Sequence, residues 1–112
     1  MRILMLGDVV GEPGRRLVEA HLPQLRRETS ADFVVVNGEN AAHGHGISES
    51  IAREWLDGLG VDVITTGNHA FDVKNIESCF RREPRLLRRP LVVVDGKPVI
   101  GFDKEELARV LK

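Results

Sequence analysis

Tyrosine is absent, tryptophan occurs once, as Trp55, and phenylalanine four times, so aromatic packing cannot dominate the interior. Apolar residues make up 42% of the chain, so the core must come mainly from Val, Leu and Ile, which suit layers of sheet and helix. A single cysteine, Cys79, excludes an intramolecular disulfide and makes the cytoplasm the expected setting. A free cysteine in a helical stretch is expected to be a semi-buried packing residue. No apolar run approaches ~18 residues, and no charged segment followed by an apolar stretch opens the chain, so neither a membrane span nor a leader is expected. The net charge of −1 removes any whole-chain attraction to nucleic acid or membrane. At 112 residues the chain is expected to form one domain with a modest core.

Ile3–Leu6 and Phe33–Val36 are short and continuously apolar, the pattern of fully buried strands, and Val61–Thr66 reads as a third strand. Between the first two, Pro13 suits a helix's first turn, and Leu17, Ala20, His21 and Leu25 follow helical spacing to about Glu28. Pro23 predicts a kink or two shorter segments there. Ser48 and Ser50 offer caps for a helix from about Glu49 to Leu59, and Gly58 or Gly60 ends it. A third helix is expected over Asp72–Arg82. The repeat β-α-β-α-β-α implies a parallel sheet with right-handed crossovers. After Pro84 the pattern changes. Leu91–Val94 and Pro98–Phe102, joined by Asp95-Gly96, predict a hairpin, and Asp103 caps a final helix, Lys104–Lys112. The expected fold is α/β, a three-layer βαβαβα parallel half-sheet completed by a ββα unit, in one domain over 1–112.

Each of the three strand-like runs ends in polar residues. Ile3–Leu6 meets Gly7-Asp8, Phe33–Val36 meets Asn37-Gly38-Glu39-Asn40, and Val61–Thr66 meets Gly67-Asn68-His69. Ligands of α/β sheets bind at the carboxyl ends of parallel strands. Asp8 and Glu39 are carboxylates, one of which could bridge two cations, while Asn40 and Asn68 add neutral carbonyl oxygens. Hard oxygen donors suit Mg, Mn or Fe and two-metal hydrolysis of phosphate esters. His69, beside Asn68, is placed to protonate a leaving alkoxide. His43 and His45 lie in a loop after Asn40, either solvated or a pair of imidazole ligands. His21, within a helix, is expected to be structural and semi-buried.

Two other features point elsewhere. Gly7-x-x-x-Gly11-x-x-Gly14 lacks the Gly-Lys-Ser/Thr of a phosphate loop and has the wrong spacing for a dinucleotide fold. Gly11–Gly14 before a helix, with Arg15 and Arg16 nearby, could still hold an anion. Arg81, Arg82, Arg85, Arg88 and Arg89 form a basic cluster without interleaved aromatics, more a solvated face than an RNA patch.

MRILMLGDVVGEPGRR, FVVVNGENAAHGHGI and GVDVITTGNHAFD, with EPRLLRRP as a weaker fourth piece, resemble the YmdB-like branch of the calcineurin-like metallophosphoesterases over Met1 to about Leu87. That resemblance implies hydrolysis of phosphodiesters, including 2′,3′-cyclic nucleotides, at a two-metal site that often holds iron. It implies Asp8, Glu39, Asn40 and Asn68 as metal ligands, Glu39 bridging, with His69 as proton donor. Members of that family are more than twice as long and draw further histidine ligands from their second half, whereas no histidine follows His69 here.

From about Glu83 to Lys112 the text resembles instead the ββα ending of thioredoxin-like arsenate reductase and Spx-type proteins. There Arg88, Arg89 and Pro90 match an arginine-proline segment, which implies anion binding by Arg88 and Arg89. The two resemblances together suggest a chimera, natural or engineered, with segments 1–87 and 88–112. The expected function is that of a truncated or chimeric metallophosphoesterase-like domain with an incomplete two-metal site and little or no catalysis. The alternative is an active metal-dependent phosphodiesterase on 2′,3′-cyclic nucleotides. Partners are expected to be a phosphodiester ligand and further copies of the chain, with no membrane role.

Overall fold

The computed structural model describes residues 1–67, 73, 76–88, 91–94 and 97–100, with the backbone alone at 88, 91–94 and 97–100. Four parallel strands, β1 (Ile3–Leu6), β2 (Phe33–Asn37), β3 (Val63–Thr66) and β4 (Leu86–Arg88), pair in sequence order. Ile3 lies beside Phe33, Val36 beside Ile64 and Ile64 beside Leu86. β4 escaped the sequence reading because three residues between arginines carry too little pattern to read as a strand. Its pairing with β3 supplies the signal instead. The expected hairpin is present as β5 (Leu91–Val94) and β6 (Lys97–Ile100), antiparallel and paired with each other as a separate sheet. Asn68, His69, Arg89, the Asp95-Gly96 turn and the helix expected over Lys104–Lys112 lie outside the described residues.

Strands added in one direction by right-handed crossovers place their connecting helices on one face. Burial agrees. Val34, Val36, Ile64, Thr66 and Leu86 are buried, while Phe33, Val35, Val63, Thr65 and Leu87 on the other face are half-buried. On β1 that second face is open, with Ile3 58% and Met5 71% exposed. Ile3–Leu6 and Phe33–Val36 are therefore one-sided strands rather than fully buried ones, and β1 has a partner on one side only among the described residues. The α/β class holds, with sheet and helices forming two layers among the described residues.

α1 (Gly11–Thr29) runs unbroken through Pro23, which sits on the exposed side of the helix. Its buried stripe is Val18 and Leu22, not Leu17, Ala20 and His21, which are all exposed. His21 is thus a solvent-facing residue rather than a semi-buried structural one. α2 (Glu49–Arg53) is capped by the Ser48 hydroxyl, which accepts the Ile51 N–H at 3.3 Å, and continues into a π-helical turn, Glu54–Gly58. α3 (Ile76–Arg82) buries Ile76 and Cys79. Burial pushes the Cys79 thiol up, disfavouring the reactive thiolate. Trp55, fully buried, joins Val18, Leu22, Val34, Ile64 and Cys79 in one core.

Among the described residues, three members of the basic cluster are paired with carboxylates. Arg81 pairs with Glu77 at 2.6 Å, Arg82 with Glu49 at 3.0 Å, and Arg85 with Asp57 at 3.0 Å. Arg85 also grips buried Glu83 with two bonds, Nε to Oε1 at 2.7 Å and Nη2 to Oε2 at 2.8 Å, and Arg53 Nη1 donates to the same carboxylate at 3.0 Å. These donors, Arg85 first, hold Glu83 at about 2 against an ordinary 4.5, with burial opposing them. A depressed folded value means the stabilisation is complete above the unfolded value and lost as pH falls through the folded one. Glu83→Gln is expected to lower stability at pH 7 by roughly 2 kcal/mol. In urea titrations the gap between variant and wild type should close between about pH 4.5 and pH 2.

Candidate metal centre

The carboxyl ends of β1, β2 and β3 meet along one edge, and the side chains described there carry oxygen donors. Asp8, two residues past β1, is exposed. Its Oδ2 accepts a hydrogen bond from Asn40 Nδ2 at 2.7 Å, across 32 residues of sequence. Parallel pairing of Val10 with Asn40 beyond the ends of β1 and β2, and the Gly11 N–H donating to the Asn40 carbonyl at 3.0 Å, bring these loops together. Because Asn40 spends its amide N–H on Asp8, its Oδ1 is the atom left to serve as a neutral donor.

Glu39 turns the other way, toward β3. A Cβ built on Gly67 would overlap the Glu39 carboxylate, so that carboxylate lies directly over the first residue past β3. Gly38 makes the crossing possible. Its N–H donates to the Thr65 carbonyl at 2.8 Å, and a Cβ there would stand 3.0–3.1 Å from Ile47 Cδ1, Ile64 Cγ2 and Trp55 Cζ3. The backbone thus rests on the core where it leaves β2, and any larger residue there would need Ile47, Ile64 and Trp55 to give way by a few tenths of an ångström. Asn37, not singled out from sequence, bonds Glu39 twice: Nδ2 donates to Oε1 and Oδ1 accepts the Glu39 N–H, both at 3.1 Å. Asx turns after a strand would have signalled it.

The expected site residues are thus partly assembled. Asp8, Glu39 and Asn40 share the edge, whereas Asn68 and His69 lie outside the described residues. His43 and His45 are exposed in the turn after Asn40, closed by Ala42 N–H to the Gly46 carbonyl at 2.9 Å. Among the described residues no group of three or more His, Cys, Asp or Glu gathers in one place. Arg15 Nη1 donates to the Ala41 carbonyl at 2.5 Å and Arg16 pairs with Glu12 at 2.6 Å, so internal acceptors engage both arginines of the expected anion loop. Arg88 ends β4 in register with Thr66, one strand from Gly67. An apolar groove of about 570 Å³ runs from Asp8 along α1 between Leu6, Val9, Leu17 and Leu22, walls that do not suit a phosphodiester.

Comparison with known proteins decides the family. The profile described as YmdB-like protein matches residues 4–109. The chain belongs to the YmdB-like family. Since that match runs through the segment from Glu83 onward, it lends no support to a thioredoxin-like ending or to a chimera. The 2′,3′-cyclic-nucleotide 2′-phosphodiesterase of Bacillus subtilis (strain 168) is 44% identical over 102 residues, 91% of this chain and 38% of that protein. A putative phosphatase/phosphodiesterase of Mycoplasma pneumoniae is 42% identical over 71 residues, 63% of this chain and 25% of that one. Among solved structures, a hypothetical protein from Thermus thermophilus superposes with a TM-score of 0.70 at 36% identity, over 88% of this chain and 42% of the other. A novel phosphatase from Mycoplasma pneumoniae gives 0.70 at 38% identity, over 77% and 30%. The chain spans well under half the length of the curated relatives it matches. No helix among the described residues is long and apolar enough to cross a membrane.

Gly38→Ala is expected to destabilise the fold by about 1–3 kcal/mol through overpacking against Trp55, Ile47 and Ile64. Urea denaturation checks this, and a neutral result would show that the core yields at that point.

Proposed function

We propose that this strand-end edge binds divalent metal and serves hydrolysis of phosphodiesters, with 2′,3′-cyclic nucleotides as the substrate class. The observation that carries it is the meeting of Asp8, Asn40 and Glu39 at one edge, Asn40 bonded to Asp8 and Glu39 laid over Gly67. The donor set fits a hard cation, because it offers carboxylate and amide oxygens and no thiolate. Asp8, Glu39, Asn40 and, beyond the described residues, Asn68 would hold the metal, Glu39 between two ions. Bound Fe or Mn, with Mg as the other candidate, would polarise the phosphoryl oxygens and supply an activated water. His69 is assigned proton transfer to the leaving alkoxide. Arg88, at the same edge in register with Thr66, and Arg89 after it are assigned the substrate's negative charge. His43 and His45, exposed in the turn just after Asn40, are assigned as possible additional ligands.

The substrate class is supported by the similarity to the 2′,3′-cyclic-nucleotide 2′-phosphodiesterase of Bacillus subtilis, of which this chain covers 38%. Four oxygen ligands shared by two ions leave much of each coordination sphere to water, so the chain assayed alone is expected to turn over substrate weakly or not at all. Metal binding is the sharper test. Millimolar Mn²⁺ should raise Tm by several degrees, as binding to the folded state alone contributes about 2.7 kcal/mol at a hundredfold excess over Kd. Asp8→Ala and Glu39→Ala should abolish the rise, together with any turnover of bis-p-nitrophenyl phosphate. An unchanged Tm in the wild type overturns the metal assignment.

The open face of β1, with Ile3 58% and Met5 71% exposed, supports self-association. Light scattering at high concentration is expected to detect a dimer or larger species that Met5→Lys diminishes. A strictly monomeric wild type rules this out.

A further inference from the structure

We propose that Asn37 is a positioning residue that fixes the Glu39 carboxylate for metal binding, a role that rests on the assignment of Glu39 as a ligand. One amide spends both ends on one residue: Nδ2 on Glu39 Oε1 and Oδ1 on the Glu39 backbone N–H, each at 3.1 Å. The acceptor half shapes the turn, and the donor half orients the carboxylate. Asn37 is itself held. It is the last residue of β2, in register with Thr65, and its Cβ lies 2.8 Å from where a Cβ on Gly7 would stand. The bare Gly7 lets Asn37 rise on the β1 side, and the bare Gly67 receives Glu39 on the β3 side. The carboxylate is therefore bracketed between two strand ends and tied to the strand between them.

The chemistry of the tie suits a cation site. A glutamate loses rotamer entropy when fixed, and an intramolecular donor meets that cost before any metal arrives. A lysine or arginine in this place would orient the carboxylate equally well, but its charge would repel the cation. An amide donor is neutral. It does not cancel the negative charge of Glu39, as partners of metal ligands commonly do not.

Asn37→Ser separates the two halves, since a serine hydroxyl can cap the Glu39 N–H in a short turn yet is too short to reach the carboxylate. The variant is expected to keep the wild-type backbone spectrum and to bind Mn²⁺ about 10–100-fold more weakly by calorimetry. Wild-type affinity in a folded Asn37→Ser chain overturns the role of Asn37 alone. Absence of Mn²⁺ binding by the wild type overturns the metal assignment and this role with it. A second measurement needs no variant of Asn37. The Asn37 side-chain amide protons should exchange slowly with solvent in the metal-free wild type, and Glu39→Ala should remove that protection. Fast exchange in the wild type overturns the proposal.

Discussion

Everything at the strand-end edge depends on how closely the backbone at Gly38 approaches the core. The contact is steric, not electrostatic: Trp55, Ile47 and Ile64 fill the space that a side chain at 38 would occupy. Interiors pack at crystal-like density, so a backbone segment pressed on such a surface has one height and one direction. From that position Gly38 donates to Thr65, Asn37 finishes β2, and Glu39 is sent across β3 to Gly67. The polar chemistry of the edge is thus fixed from below by an apolar contact.

The same core accounts for the lopsided character of the sheet. Right-handed connections that always advance in one direction stack α1, α2 and α3 on one face, where Val34, Val36, Ile64 and Leu86 meet Trp55 and Leu22. The helices are joined to the sheet's far edge by charge as well as by packing. Glu83, between α3 and β4, collects Arg53 from α2 and Arg85 from its own turn, and so locks β4 beside β3. A buried carboxylate is costly unless its donors are complete, and here both oxygens are engaged.

Much of this was legible in the chain. The apolar runs before Gly7, Asn37 and Gly67 marked three parallel strands, and Asp95-Gly96 marked the β5–β6 hairpin, because those signals are local. What failed did so for identifiable reasons. A continuous apolar run on β1 looks buried on both faces, whereas burial depends on what packs there, and one face of β1 is open. The α1 stripe was placed one residue off, since Leu17 and Val18 are equally apolar and only packing distinguishes them. β4 was missed because Leu86-Leu87-Arg88 owes its strand form to its neighbour. The arginine cluster looked like a solvated basic face, but Glu77 and Glu83 pair with it locally, and the fold brings Glu49 and Asp57 against it from about 30 residues away.

By itself the sequence determined the α/β class, the strand ends that carry Asp8, Glu39 and Asn40, and the resemblance to YmdB-like proteins, since apolar periodicity and short motifs are properties of neighbouring residues. Even the family's extent was read short, at about Leu87, where the comparison runs to residue 109. Only the tertiary structure decided which of those residues meet. Asn40 reaches Asp8 across 32 positions, Glu39 settles on Gly67, and Asn37 emerges as the residue between them. Such meetings depend on strand order and register, and register is set by the packing of β1, β2 and β3 against one core, which no local stretch of sequence contains.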